Sequence, residues 1–180
     1  MIEIMLYGRG GQGVVTAGEL LVKAAIHKGI YGQSIPFFGG ERRGAPVYSY
    51  VRIDNKPVRI HRQTYTPDIL AVFDTSLIAS SNVAEKLKKD GIAVLNTDTP
   101  KQIGATTYYI DATKIAKDIN LVIAGWPIVN TALTGAMSKV LDMFSFDALK
   151  DAINETFEGS IKELNLKAAQ LGFEGVKKLD

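Results

Sequence analysis

The 180-residue chain contains no cysteine and only two histidines. The first absence excludes a disulfide framework, a thiolate nucleophile and any cysteine-held zinc or iron–sulfur site within this chain. The histidines, His27 and His61, stand far apart in sequence, so a histidine-rich metal site is not expected either. No apolar run reaches the ~18 residues of a membrane span. No basic stretch leads into an apolar core near the N-terminus, so no secretory signal is expected. These absences fit a cytoplasmic protein. A G-x-S-x-G elbow is missing too, which leaves hydrolase chemistry without a visible basis.

Net charge is also small. Lys and Arg number 21 against 19 acids, for a net charge of +2. The excess is nevertheless local: Glu41 to Arg62 holds Arg42, Arg43, Arg52, Lys56, Arg59 and Arg62 against Glu41 and Asp54. Such a basic segment attracts phosphates, acidic substrates or an acidic partner chain. Nucleic acid is disfavoured, because the chain is nearly neutral overall and shows no basic stripe or stacking repeat.

What is present reads as one α/β domain over residues 1–180. Hydrophobic content of 46% supports a substantial core. Ile2 to Tyr7 is apolar at nearly every position and stops at glycine, as a buried strand does. Gly13 to Lys28 follows with helical spacing, its polar Thr16, Glu19, Lys23 and His27 confined to one narrow stripe. Residues 30–46 carry glycine and proline without a period and read as a loop. Val47 to Ile53 is β-rich, and Asp54-Asn55-Lys56-Pro57 signals a turn from which Val58 to His61 would pair back as a hairpin.

Ile69 to Phe73, Ile92 to Leu95 and Thr106 to Ile110 are further short strands, with a polar helix around Ser80 to Lys89 and a helix cap at Asp111. Ile128 to Leu141 is helical, with Pro127 near its first turn. Two more helices fill about 145–171. Ser145 caps the first, and Ser160 with Glu163 forms a capping box for the second. The expectation is a Rossmann-like, mostly parallel sheet flanked by helices, with an inserted β-hairpin and C-terminal helices.

The stretch GRGGQG sits at the first strand-to-helix turn. Gly8, Gly10 and Gly13 match G-x-G-x-x-G in the right context for phosphate at a helix N-terminus. A dinucleotide site also wants an acid ~20 residues on to hold ribose, and none stands between Glu19 and Glu41. A P-loop fits less well, since no Lys-Ser or Lys-Thr pair follows the glycines. The bland alternative is a tight turn that needs glycine for its backbone alone. Gln12 is unusual there, because its amide can fix a backbone neighbour, a bound group or a partner chain. Arg42 and Arg43, between glycines, suit bidentate recognition of carboxylate or phosphate, or pair with nearby acids.

Three ordered segments, GRGGQGVVTAGELL at 8–21, FFGGERRGAPVYSYVRID at 37–54 and NTALTGAMSKV at 130–140, resemble the gamma subunit of 2-oxoacid:ferredoxin oxidoreductases. The Glu-Arg-Arg-Gly-Ala-Pro-Val wording is most similar to the pyruvate and branched-chain members. The resemblance implies a heteromeric enzyme of anaerobic metabolism. That enzyme oxidatively decarboxylates a 2-oxoacid, reduces ferredoxin and releases an acyl-coenzyme A, or runs the reverse synthase reaction. This chain has no Gly-Asp-Gly element of the thiamine diphosphate type and no cysteine. The resemblance therefore leaves thiamine diphosphate, magnesium and iron–sulfur clusters to alpha, beta and delta-type partner subunits. For this chain it implies assembly and coenzyme A binding, with no catalytic residue of its own. Gly10, Gly11, Gln12 and Gly13 would form the turn facing ligand or partner, and Arg42 and Arg43 the anion or interface contacts. Asn130 would mark a second loop-to-helix start in the same cleft, or serve as an N-cap. Two other readings stay open: a self-sufficient nucleotide-binding enzyme, and a scaffold subunit with no ligand of its own.

Overall fold

The computed structural model describes residues 1–38 and 44–180. In chain order the elements are β1 (Ile2–Arg9), α1 (Val14–His27), β2 (Tyr31–Phe38), β3 (Pro46–Asp54) and β4 (Ile69–Val72). A 3-10 turn (Thr75–Leu77), α2 (Val83–Lys86), β5 (Ile92–Asn96), β6 (Thr106–Ile110) and α3 (Ala112–Asp118) come next. The chain closes with β7 (Val122–Ile123), β8 (Trp126–Pro127), α4 (Asn130–Val140), α5 (Phe146–Thr156), α6 (Gly159–Gly175) and β9 (Lys177–Lys178).

Seven strands form one sheet in the order β2-β3-β1-β4-β5-β6-β9. β1, β4, β5 and β6 run parallel, while β3 pairs antiparallel with β1 and β9 antiparallel with β6. The expected mostly parallel α/β sheet is therefore found. Chain direction across the sheet reverses at β1: α1 carries the chain outward to β2, whereas β4 and β5 lie on the other side. In open α/β sheets ligands bind beyond the carboxyl ends of the strands at such a switch point.

The two faces of the sheet are dressed differently. Ile4, Leu6, Val51, Ile69, Ala71 and Val94 pack in one core with the buried faces of α1, α3, α4, α5 and α6. On the opposite face Met5, Tyr7, Tyr50, Leu70 and Leu95 meet only Leu77, Val83, Leu87 and a few partly buried neighbours. Strand alternation, with period 2, sends alternate residues to these two cores.

Several local expectations are corrected. Residues 31–38, read as loop, form β2, and the hairpin is β2 with β3 rather than β3 with 58–61. β2 is an edge strand, so Pro36 costs no ladder bond on its open side. Its helix-facing residues are small: Gly32 lies under Val22, and Ser34 Oγ is 2.9 Å from Ser49 Oγ beneath Gly18. A strand built this way lacks the apolar alternation that would reveal it. The 58–61 segment instead crosses the sheet face, where buried Arg52 donates to Ile60 O at 3.5 Å.

The polar helix expected at 80–89 shrinks to the single turn of α2. Ser80 and Ser81 hydroxyls both donate to Leu77 O, offering the backbone a local alternative to a helix. Pro127 belongs to β8, and α4 begins at Asn130. α6 starts at Gly159, with Glu158 at its N-cap and no side-chain cap bond, so Ser160 and Glu163 form no capping box. The chain also adds β9 beyond α6, which the sequence reading missed. Ser145 and Asp111 do cap, accepting from Ala148 N at 3.2 Å and Lys114 N at 2.8 Å.

α4 and α6 cross at very short range. A methyl added at Gly135 would stand 2.0 Å from Ala169 O, and one at Gly172 would stand 1.9 Å from Ala132 O. Both obstacles are backbone and cannot swing aside. Gly135→Ala and Gly172→Ala are each expected to lower stability by about 2–3 kcal/mol despite alanine's better helix propensity. Urea unfolding followed by circular dichroism checks this; a stability equal to the parent's would show that the crossing is not close.

Candidate functional site

β1 ends at Arg9 and turns through Gly10-Gly11-Gln12-Gly13 into α1. The turn is locked from inside. Gln12, 8% exposed, accepts from Arg9 N at 2.7 Å through Oε1 and donates from Nε2 to Phe73 O at 3.4 Å. Phe73 O also accepts from Asn96 Nδ2 at 2.8 Å, and Asn96 Oδ1 accepts from Thr113 N at 3.2 Å. The carboxyl ends of β1, β4 and β5 are thus stitched together by two carboxamides. Of the roles open to Gln12 in the sequence, fixing a backbone neighbour is the one observed.

Gly10 is paired as well: its N–H donates to Ala45 O at 2.9 Å, and its carbonyl accepts from Gly44 N at 3.1 Å. Arg9 reinforces the same place, donating to Gly44 O at 3.1 Å, Asp74 Oδ2 at 2.5 Å and Ser76 Oγ at 3.1 Å. Arg42 and Arg43 lie outside the described residues, but Gly44, which follows them, is held against the glycine turn.

Gly13 is the N-cap of α1, at φ 79°. A methyl there would stand 2.5 Å from Asn130 Nδ2, so the start of α1 and the start of α4 touch. Asn130 is almost fully buried, and its Oδ1 accepts from Thr131 N at 2.8 Å. It is the first residue of α4, not its cap; Val129 holds that position. The first i→i−4 bond of α1 runs from Ala17 N to Gly13 O and that of α4 from Leu133 N to Val129 O. Neither helix has a side-chain cap bond or an acid in its first turn. Two positive ends of helix dipoles therefore converge, an arrangement suited to an anion.

The sequence-predicted Gly10, Gly11, Gln12, Gly13 and Asn130 are brought together here. Sequence reasoning missed Arg9, Asp74 and Asn96. Arg9 stood in plain view between the first two motif glycines, and Asp74-Thr75-Ser76 carries the short spacing of a capping turn. Among the described residues no group of three His, Cys, Asp or Glu side chains is arranged to hold a metal. No helix among them is long and apolar enough to cross a membrane.

With this geometry in view, residues 3–175 match the model of the pyruvate ferredoxin/flavodoxin oxidoreductase family. The chain belongs to that family. It is 49% identical over 174 residues to the pyruvate synthase subunit PorC of Methanocaldococcus jannaschii, covering 96% of each chain. To the common gamma subunit of the pyruvate/ketoisovalerate oxidoreductases of Pyrococcus furiosus it is 43% identical, over 97% of this chain and 96% of that one. The PORC subunit of Thermotoga maritima pyruvate oxidoreductase superposes with a TM-score of 0.85 at 29% identity, covering 99% and 98% of the two chains. A chain of Magnetococcus marinus 2-oxoglutarate:ferredoxin oxidoreductase, solved with 2-oxoglutarate, coenzyme A and succinyl-CoA bound, shares the fold. Its TM-score is 0.78 at 21% identity, over 95% of this chain and 30% of that one.

Two predictions follow from the turn. Gly13→Ala is expected to cost about 3 kcal/mol, from the left-handed backbone and the Asn130 contact together. Combined with Asn130→Gly, which removes all three side-chain atoms that the methyl would meet, only the backbone part of about 1–2 kcal/mol should remain. A double-mutant cycle in urea reads the coupling; strict additivity would mean that the two helix starts do not touch.

Asp74 gives a pH signature. Partial burial raises its pKa, but bonds from Ser76 and Arg9 outweigh burial and hold the carboxyl below its ordinary 3.8. A carboxylate depressed on folding stabilises above its unfolded value and loses that contribution as pH falls through the folded one. Asp74→Asn should therefore be less stable than the parent at pH 7, and the gap should narrow as pH drops below 3.8. A gap independent of pH would count against the Arg9 and Ser76 contacts.

Proposed function

We propose that this chain is the gamma subunit of a cytoplasmic 2-oxoacid:ferredoxin oxidoreductase. The reaction is oxidative decarboxylation of pyruvate to acetyl-CoA, or its reversal. In this reading alpha, beta and delta-type subunits carry thiamine diphosphate, magnesium and the iron–sulfur clusters, and ferredoxin takes the electrons. Thiamine diphosphate supplies the carbanion chemistry of decarboxylation on those partners. This chain contributes to assembly and to binding coenzyme A.

The observation that carries the coenzyme A part is the meeting of the starts of α1 and α4 at Gly13 and Asn130, neither with an acid in its first turn. Gly44, which follows Arg42 and Arg43 in the sequence, is hydrogen-bonded to Gly10 of the same turn. Coenzyme A presents a pyrophosphate and a 3′-phosphate, which backbone N–H groups and guanidinium groups bind well. The Pyrococcus furiosus relative adds support, since one gamma subunit is common to pyruvate and ketoisovalerate oxidoreductases. A subunit shared by two such enzymes suits what the reactions have in common, coenzyme A, rather than the acyl group that separates them. The Magnetococcus marinus enzyme, solved with coenzyme A bound, has this fold in 30% of its chain. The missing ribose-binding acid argues against a self-sufficient dinucleotide enzyme.

In the assembled enzyme, Arg42→Ala with Arg43→Ala is expected to raise the apparent KM for coenzyme A about tenfold, the loss of one charge-assisted contact. The KM for pyruvate should stay within about twofold. Steady-state ferredoxin reduction under anaerobic conditions measures both. An unchanged KM for coenzyme A in an intact complex would sink the assignment to these arginines.

A further inference from the structure

Among the described residues, the sheet face opposite α1 and α4–α6 is only partly covered. Over β4 and β5 it is covered by the 3-10 turn, α2 and Leu87. Over β2 and β3 an aromatic row continues outward from the core. Tyr7 stacks on Tyr48 with centroids 4.5 Å apart, Tyr48 stacks on Tyr50 at 5.9 Å, and Phe37 tilts against Tyr50 at 6.5 Å. The row starts fully buried at Tyr7 and ends at Phe37, which is 44% exposed. Tyr65, on the segment crossing the same face, is 62% exposed.

Cations stand on this row. Lys86 Nζ lies 5.8 Å from the Tyr48 centroid, and Arg62 lies 5.7 Å from that of Tyr65. Lys56 and Arg59 are exposed on the same segment as Arg62. The acids of this region are largely engaged: Glu3 with Arg52, Asp54 with the N-terminal amine and Asp68 with Lys88. Glu85, beside Lys86, is exposed. Burial raises the Tyr48 and Tyr50 phenols above their ordinary value, so the row stays neutral and leaves the cations' field uncancelled.

From this geometry we infer that the Phe37–Tyr48–Tyr65 face is a docking surface for another subunit of the oxidoreductase, through an apolar patch flanked by Asp and Glu. The inference rests on the heteromeric reading given above. Tyr, Phe and Arg are the residue types that anchor interface centres, and opposite charge at the rim sets partner and register. A second copy of this chain fits poorly, because an isologous contact would bring Lys86, Arg62 and Arg59 against their own copies.

The test uses the whole complex. Phe37→Glu with Tyr65→Glu, and separately Arg59→Glu with Arg62→Glu, are assembled with the partner subunits and compared with Lys167→Glu on exposed α6. Native mass spectrometry and a dissociation titration read the outcome. Each double variant should weaken retention of this chain at least tenfold, while Lys167→Glu leaves it unchanged. Retention within twofold of the parent for either double variant overturns the inference.

Misfolding of a variant would show in circular dichroism. Hydrogen exchange on the parent therefore serves as a second reading, comparing peptides from β2, β3 and 58–66 in the free chain and in the complex. Protection on assembly, with Lys86 or Lys56 cross-linking to a partner carboxylate, supports the proposal. An unprotected face, or cross-links only between copies of this chain, overturns it while the subunit reading stands. Failure of the parent chain to join any such complex removes the subunit reading and the inference with it.

Discussion

Gly13 and Asn130 meet where no side chain fits between them, and the arrangement of the crevice follows from that contact. A methyl at Gly13 would lie within 2.9 Å of three Asn130 side-chain atoms, so the backbone of the first turn rests directly on the amide. The left-handed backbone at Gly13 is what lets the chain leave β1, pass Gln12 inward and enter α1 within one tight turn. The price is a junction of two like dipole ends. It is offset in part by Asn130 Oδ1, which accepts from Thr131 N.

The parallel strands, α1 and the helix at Asn130 were legible because their signals are local: apolar runs ending at glycine, a one-sided polar stripe, small residues in a helical pattern. β2 was not, because its information lies in its partner. Ser34 is there to meet Ser49 under Gly18, and Pro36 is tolerated because the strand is at an edge; neither fact can be read along the strand itself. The same division runs through the site. The glycine turn and Asn130 were visible as motifs, and their adjacency appears only when the sheet brings the starts of α1 and α4 together. Asn96 gave no motif, since its role is a bond to the carbonyl of Phe73, distant in sequence. Arg9 was hidden by the glycines around it.

Arg52 changes how the basic excess of residues 41–62 is understood. Arg52 is consumed internally: fully buried, it donates to Glu3 at 2.8 Å and to Thr64 at 3.2 Å, pinning the 55–67 segment to the sheet. Replacing one partner of such a pair leaves a buried charge uncompensated, so its strength is in holding geometry rather than in attracting ligand. Arg59 and Arg62 lie on the segment that Arg52 pins. What looks in sequence like one basic patch is therefore divided between structural Arg52, the three exposed cations Lys56, Arg59 and Arg62, and the pair Arg42 and Arg43 that precedes Gly44 in the sequence.

Rigidity at this end of the sheet comes from two side-chain amides together with close backbone contacts. Gln12 and Asn96 tie the carboxyl ends of three strands to one carbonyl, and Gly13 seats the start of α4 against α1. The body of α4 is then fixed by α6 at Gly135 and Gly172, where helix meets helix backbone to backbone. Beyond α6, β9 pairs with β6, and Leu179 N donates to Thr107 O at 2.8 Å, so the far end of the chain is anchored to the same sheet. Contacts between backbones cannot relax by changing rotamers, so a shift at the C-terminal helices must reach the helix start beside Gly13 or break the crossing. Held this way, the starts of α1 and α4 stay aligned with each other, and elements aligned in advance carry a smaller ordering cost in any binding event.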